Sequence, residues 1–168
     1  MINLKKEEFY YYKNLKKTFP LFIKINGDEI TPIGIYYNLS GKNKFLFESI
    51  YSENEIGRYS FAGMDPYRKI KSYGNKIYVE DESGVKSVQG KVLDYIKKYL
   101  NVPYENLGLS IPFTGGAIGY AGYDVIRQYE KLPSENEDTL KTPEAYLMFY
   151  KTFVCYDHFK HEVYFICN

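Results

Sequence analysis

FLFESIYSENEIGRYSFAG, residues 45 to 63, predicts two β-strands that carry charged and hydroxyl side chains among apolar ones. Side chains alternate between the two faces of a strand, so Leu46, Glu48 and Ile50 share one face. Glu48 therefore lies between aliphatic neighbours, where a carboxylate is costly unless a cation or a hydrogen-bond donor meets it. We expect its partner to be either Arg58, across the hairpin, or the ammonium group of a ligand.

The second strand of this hairpin supplies a base and a hydroxyl group. Arg58 and Ser60 share one face, so pairing of the two strands brings them near Glu48 or Ser49. A free amino acid needs such a set: a carboxylate for its ammonium group, a cation or N–H for its carboxylate, and an apolar wall for its side chain. A plain cross-strand salt bridge fits the same residues, and the spacing alone leaves both interpretations open.

Apolar periodicity and turn residues predict an α+β fold of mainly antiparallel strands with a few packed helices. The predicted helices cover residues 3–17, 32–39 and 88–100, with a short one from 124 to 129 capped by Asp124. The predicted strands cover residues 21–25, 44–50, 58–63, 67–73, 76–81, 113–122, 145–156 and 162–166. We expect strands that follow one another in the sequence to pair. The glycines of 113–122 predict a bulge or the close approach of another backbone.

Length and charge exclude several classes of protein. The 168 residues predict one domain, which buries roughly 70% of the surface of its unfolded chain and needs no disulfide. Lys and Arg total 22 against 21 Asp and Glu, so we expect no nucleic-acid or membrane partner. The sequence has no apolar targeting stretch at its start and no run near the roughly 18 apolar residues of a membrane span. We therefore expect a soluble, cytoplasmic protein.

Two further sequence patterns resemble a nucleotide-binding loop and a metal site, but neither has the required spacing. The glycine-rich segment 114–122 lacks the GxGxxG spacing of a nucleotide-binding loop. A second group contains thiol, imidazole and carboxylate side chains, but its spacing matches no compact zinc pattern; it consists of Cys155, Asp157, His158, His161 and Cys167. We therefore predict no catalytic residue, no metal site and no cofactor within this chain.

Several motifs, in order along the chain, resemble the amino-terminal region of the large component of anthranilate synthase. They are residues 47–49, 57–66, 113–120 with 123–124, 143–145 and 156–158. The resemblance begins at about Thr31 and continues to the end of the sequence. The same region occurs in the large component of aminodeoxychorismate synthase and, more distantly, in other enzymes that use chorismate.

The resemblance implies part of a lyase that converts chorismate and ammonia into anthranilate and pyruvate with Mg²⁺. A glutamine amidotransferase partner delivers the ammonia. The catalytic and magnesium-binding residues of the family lie beyond residue 168, so we expect the catalytic domain to be absent from this chain. Residues 1–168 are then expected to form a single regulatory and structural domain, half of a β-sandwich in which antiparallel sheets lie face to face with helices outside.

The resemblance also implies an allosteric site for L-tryptophan, the feedback inhibitor. The Leu-Leu-Glu-Ser element of the family's tryptophan pocket corresponds to Leu46, Phe47, Glu48 and Ser49, and the basic position that follows corresponds to Arg58. Phe47 replaces the usual leucine. Three functions stay open: anthranilate synthase, aminodeoxychorismate synthase with a structural tryptophan, and a free-standing amino-acid sensor.

Overall fold

The computed structural model describes residues 2–48, 57–133 and 138–168, which form two compact units. The first unit comprises the described residues of Met1–Asp65, Val102–Gly115 and Tyr150–Asn168, and the second those of Pro66–Asn101 and Gly116–Phe149. Each unit contains one five-stranded sheet. The α+β class with mainly antiparallel strands is therefore confirmed.

The elements follow one another as helices and strands of modest length. They are α1 (Lys6–Asn14), β1 (Leu21–Asn26), α2 (Pro32–Asn38), β2 (Phe45–Phe47), β3 (Tyr59–Gly63), β4 (Arg68–Tyr73), β5 (Lys76–Asp81), β6 (Gly84–Gln89), α3 (Val92–Leu100), β7 (Gly116–Ala121), a 3₁₀ helix (Tyr123–Gln128), β8 (Ala145–Tyr150), β9 (Thr152–Asp157) and β10 (Glu162–Cys167). Within the described ranges, no helix combines the length and apolar character that crossing a bilayer requires.

The first sheet has the strand order β1-β10-β9-β3-β2, so β9 occupies its centre. Its neighbours β3 and β10 both run antiparallel to it. Val154, Tyr156 and Val163 form a buried apolar cluster on this sheet. Helix α2 begins as the sequence predicts, because the Thr31 hydroxyl accepts a hydrogen bond from the Gly34 N–H at 3.0 Å and a proline occupies the first turn.

The second sheet has the strand order β6-β5-β4-β8-β7. Alternation along β4 and β5 buries one face, where Ile70, Ile77 and Val79 are fully enclosed. Helix α3 covers this face with its apolar stripe, and Val92 and Ile96 belong to the same core cluster. The predicted amphipathic helix therefore packs on a sheet, as expected.

Two element predictions are wrong. The helix predicted from residue 88 begins only at Val92, because residues 84–89 form the strand β6. Val88, which the periodicity assigns to the helix, instead pairs with Ile77 of the neighbouring strand β5. The chain turns back after Asp81, and Gly84, the first residue of β6, has a φ of +104° that glycine adopts easily. The predicted long strand 145–156 is divided at Lys151 into β8 and β9, which belong to different sheets.

The expected pairing of consecutive strands holds for only some of them. β2 pairs with β3 and β4 with β5, but β1 pairs with β10 and β3 pairs with β9. The short helix near residue 124 is a 3₁₀ helix preceded by Gly122, and Asp124 binds Arg127 instead of capping it.

One glycine of β7 allows the close backbone approach that the sequence predicts. Gly119 has a φ of +153°, and a Cβ atom built on it would overlap the backbone carbonyl oxygen of Tyr146 in β8. A backbone carbonyl cannot rotate away as a flexible side chain can, so any larger residue would push β7 and β8 apart.

We predict that Gly119→Ala lowers the free energy of unfolding by about 1–3 kcal/mol more than Gly84→Ala does. Gly84 is the matched control because its φ is also positive but no atom lies within 4 Å of an added Cβ. Urea denaturation of both variants measures the difference. Equal losses would contradict the close approach at Gly119.

Candidate functional site

The predicted hairpin brings the candidate residues to the β2–β3 end of the first sheet. The two strands run antiparallel, and their pairing ends with Phe47 opposite Phe61. Glu48 follows directly, and continuation of the same register places it beside Ser60. Ser49, the remaining residue of the predicted tryptophan site, lies outside the described residues.

The side chains of β2 and of Glu48, which follows it, become more exposed along the chain. Phe45 is buried, with its ring centroid 4.8 Å from that of Tyr150, and Leu46 is half-buried. Phe47 is 53% exposed and Glu48 is also exposed. The strand therefore starts in the core and ends with an apolar ring and a carboxylate that both reach solvent.

Arg58 binds a carboxylate other than Glu48. Its Nε and Nη2 donate to Oδ1 and Oδ2 of Asp157 at 3.0 and 2.7 Å, a bidentate arrangement. The Asp157 side chain is only 2% exposed, and the backbone N–H groups of Phe159 and Lys160 also donate to its Oδ1. This corrects the expectation of a salt bridge between Arg58 and Glu48, and leaves the ligand ammonium as the partner that we predict for Glu48.

Two opposing effects set the pKa of Asp157. Burial acts to raise it, but the hydrogen bonds from Arg58, Lys160 and Phe159, together with the positive charge of Arg58, hold it below its usual value. The hydrogen bond to Asp157 in turn raises the pKa of Arg58. The guanidinium carbon also lies 4.9 Å from the ring centroid of Tyr59 and 5.3 Å from that of Phe159. Both side chains are therefore ionised; backbone N–H groups fix the carboxylate of Asp157, and two aromatic rings lie against the guanidinium group of Arg58.

A second polar contact joins β3 to β9. The buried Ser60 Oγ lies 2.7 Å from Nε2 of His158, and the backbone N–H of His158 donates to the carbonyl oxygen of Arg58 at 2.8 Å. The His158 ring lies 4.7 Å from the ring of Tyr156. The strands predicted at 145–156 and 162–166 leave Asp157 and His158 in the segment between them. The sequence signal for the role of Asp157 is an aspartate at a strand end, whose carboxylate can accept hydrogen bonds from the N–H groups that follow.

The residues considered as metal ligands do not converge. Among the described residues, no group of three or more His, Cys, Asp or Glu side chains could hold a metal ion. Cys155 is buried, and this burial, aided by the charge of Asp157, raises the pKa of its thiol to about 12, so it stays protonated. The described part of the chain therefore does not fit the Mg²⁺ that the resemblance implies.

Fold and site together define an α+β protein whose first sheet carries an exposed carboxylate, Glu48, and a buried aspartate, Asp157, that is paired with a partly exposed arginine. No family model matches the chain. Anthranilate synthase component 1 of Lactococcus lactis is 35% identical over 144 residues, which are 85% of this chain and 31% of that protein. The protein of the same name from Acetivibrio thermocellus is 34% identical over 155 residues, 89% of this chain and 31% of its own length.

A solved structure gives the same result. Anthranilate synthase component I from Streptococcus pneumoniae matches with a TM-score of 0.59 and 30% identity, over 86% of this chain and 31% of that one. The resemblance is therefore confirmed: over most of its length, the chain is homologous to part of anthranilate synthase component I. It spans about 31% of the length of these relatives.

We predict that Asp157→Asn lowers the free energy of unfolding by about 2 kcal/mol at neutral pH, because it breaks a buried pair whose arginine remains partly solvated. Since the pKa of Asp157 is lower in the folded state, its contribution is present above the unfolded pKa of about 3.9 and is lost as the pH falls through the folded value. Below about pH 4, the stability of the variant and of the unaltered chain should therefore converge.

Chemical denaturation at several pH values measures this convergence. Asp28→Asn is the control, because Asp28 is 66% exposed and lies in the same unit. A constant difference between Asp157→Asn and the unaltered chain across the acid range would contradict the assignment.

Proposed function

We propose that the chain is the regulatory and structural part of an anthranilate synthase component I. This enzyme converts chorismate and ammonia into anthranilate and pyruvate in tryptophan biosynthesis. The observation that carries the proposal is the similarity to proteins of that name, at 34–35% identity over 85–89% of the chain. The structural match to the Streptococcus pneumoniae protein supports it independently.

Catalysis belongs to the part of the enzyme that this chain does not cover. The chain spans about 31% of its relatives, and among its described residues no group of three or more His, Cys, Asp or Glu side chains could hold a metal ion. We propose that the chorismate site and the Mg²⁺ site lie in the remaining portion of the enzyme. The component number in the relatives' names implies a second subunit, which we propose is the glutamine amidotransferase, in the cytoplasm.

The proposed role of this chain is to contribute one side of the tryptophan pocket. Glu48 is exposed and makes no hydrogen bond or ion pair within the part of the chain that the structure describes. A free carboxylate of this kind suits the ammonium group of an amino acid. The half-buried Leu46, which shares a face of β2 with Glu48, provides apolar surface for the indole ring, whereas the exposed ring of Phe47 lies on the opposite face and forms an outer edge of the proposed site.

Arg58 has a narrower role than a free cation would have. Asp157 accepts from Nε and from one N–H of Nη2 and neutralises the charge of Arg58, which leaves the two N–H groups of Nη1 and the second N–H of Nη2 to donate to the carboxylate of an effector. We propose that Arg58 mainly orients the β3 end of the pocket. Ser49 enters this proposal from the sequence alone, as a hydroxyl beside Glu48.

We predict that Glu48→Ala and Ser49→Ala leave anthranilate formation intact in the enzyme that contains this chain, but weaken its inhibition by tryptophan. Loss of a charge-assisted hydrogen bond should raise the inhibition constant about tenfold or more for Glu48→Ala. Steady-state assays with increasing tryptophan measure the effect. Glu29→Ala is the control, because Glu29 is an exposed carboxylate in the same unit; inhibition of Glu48→Ala equal to that of the control would reject the site.

We further predict that residues 1–168 alone bind tryptophan weakly or undetectably and do not turn over chorismate. The reason is that the opposite wall of the proposed pocket belongs to the absent portion. Isothermal titration calorimetry and an anthranilate fluorescence assay measure the two properties. Micromolar binding would show that the pocket is complete within this chain.

Product analysis separates the proposed function from its nearest alternative. An aminodeoxychorismate synthase carries out the amination and releases aminodeoxychorismate, whereas anthranilate synthase releases anthranilate and pyruvate. The relatives reported above carry the anthranilate synthase name, which favours the first reaction. Formation of aminodeoxychorismate by the intact enzyme would overturn the proposal.

A further inference from the structure

The outward face of the second sheet has an unusual composition. Alternation places Lys69, Lys71 and Tyr73 of β4 on the face opposite Ile70 and Ser72, which are buried. The register pairs these three with residues of β5 on the same face: Lys69 with Glu80, Lys71 with Tyr78, and Tyr73 with Lys76. Lysine and tyrosine side chains therefore interleave on this face.

This face contains a cleft. Its volume is about 300 Å³, and it is lined by Lys69, Lys71, Tyr73, Tyr78, Glu80 and Val85. The rings of Tyr73 and Tyr78 meet edge to face with centroids 6.0 Å apart. Val85 of β6 is 69% exposed, so an apolar side chain faces water at the edge of the cleft. The volume is at the lower limit for small-molecule sites and suits a ligand with a single ring.

The charges around the cleft favour an anion. Three ammonium groups, those of Lys69, Lys71 and Lys76, lie on the β4–β5 part of this face, and the carboxylate of Glu80 binds Lys69 at 2.9 Å. Lys71 and Lys76 lie 4.7 and 5.1 Å from the ring centroids of Tyr146 and Tyr78, so aromatic contacts hold both near the cleft. Among the described residues, Lys71 and Lys76 form no ion pair with a carboxylate, whereas Lys69 does.

We propose that this cleft binds a small planar aromatic carboxylate. The ring of the ligand lies against Tyr73 and Tyr78, and its carboxylate accepts hydrogen bonds from Lys71. The proposal does not depend on the proposed function, because neither residues 46–49 nor Arg58 contributes to the cleft. It assigns to the outward face of the second sheet a binding role that folding does not require.

Three probes separate the contributions of ring and charge: benzoate, cyclohexanecarboxylate and benzamide. We expect benzoate to shift the backbone amide resonances of β4, β5 and β6 in a titration of the full chain followed by NMR. Cyclohexanecarboxylate, which lacks the aromatic ring, and benzamide, which lacks the charge, should each bind roughly fivefold more weakly. Equal affinity for the three probes, shifts located elsewhere, or no shifts at millimolar benzoate would overturn the proposal.

Matched variants locate the site. Lys71→Gln and Tyr78→Leu should each raise the dissociation constant of benzoate roughly fivefold. The controls are Lys97→Gln and Tyr123→Leu, which change an exposed lysine and an exposed tyrosine of the same unit outside the cleft. If Tyr78→Leu fails to fold, Lys71→Gln still decides the matter, because Lys71 lies on the outward face; an unchanged dissociation constant in Lys71→Gln would overturn the assignment.

Discussion

The burial of one carboxylate determines how the first sheet is arranged around its candidate site. Asp157 ends the central strand β9 with almost no contact with water, and an ion in that position needs a cation and hydrogen-bond donors. Arg58 supplies the cation immediately before β3, and Ser60 and His158 add a second polar link between the same strands. Because β2 is attached to the sheet through β3, these contacts also fix the position of Glu48.

The same ion pair explains why Glu48 faces solvent. A carboxylate among aliphatic neighbours must find a cation or stay hydrated, and Asp157 has already engaged the guanidinium group of Arg58. The sequence pattern predicted that Glu48 needs a cationic partner and gave Arg58 as one of two candidates, but Arg58 binds Asp157 instead. An effector that brings its own ammonium group would meet the remaining need of Glu48, which makes the geometry compatible with an amino-acid site that is incomplete without its ligand.

Local sequence signals predicted the features that depend on neighbours in the chain. The start of α2 at Pro32 and the β2–β3 pairing belong to this group. The partner of Arg58 could not be found in the same way, since Asp157 is 99 positions away and is brought close only by the β3–β9 register. The division at Lys151 was hidden for a related reason: both halves of an apolar stretch read as strand, and only sheet membership separates them.

The second unit consists of Pro66–Asn101 and Gly116–Phe149, and the first consists of the three stretches that surround these. Neither can be excised by trimming the polypeptide from its ends, because every truncation that removes one unit also cuts into the other. A miniaturised version of either would need new junctions or a circular permutation. A gene fusion that joins another protein to this chain at its ends would therefore transfer both sheets together.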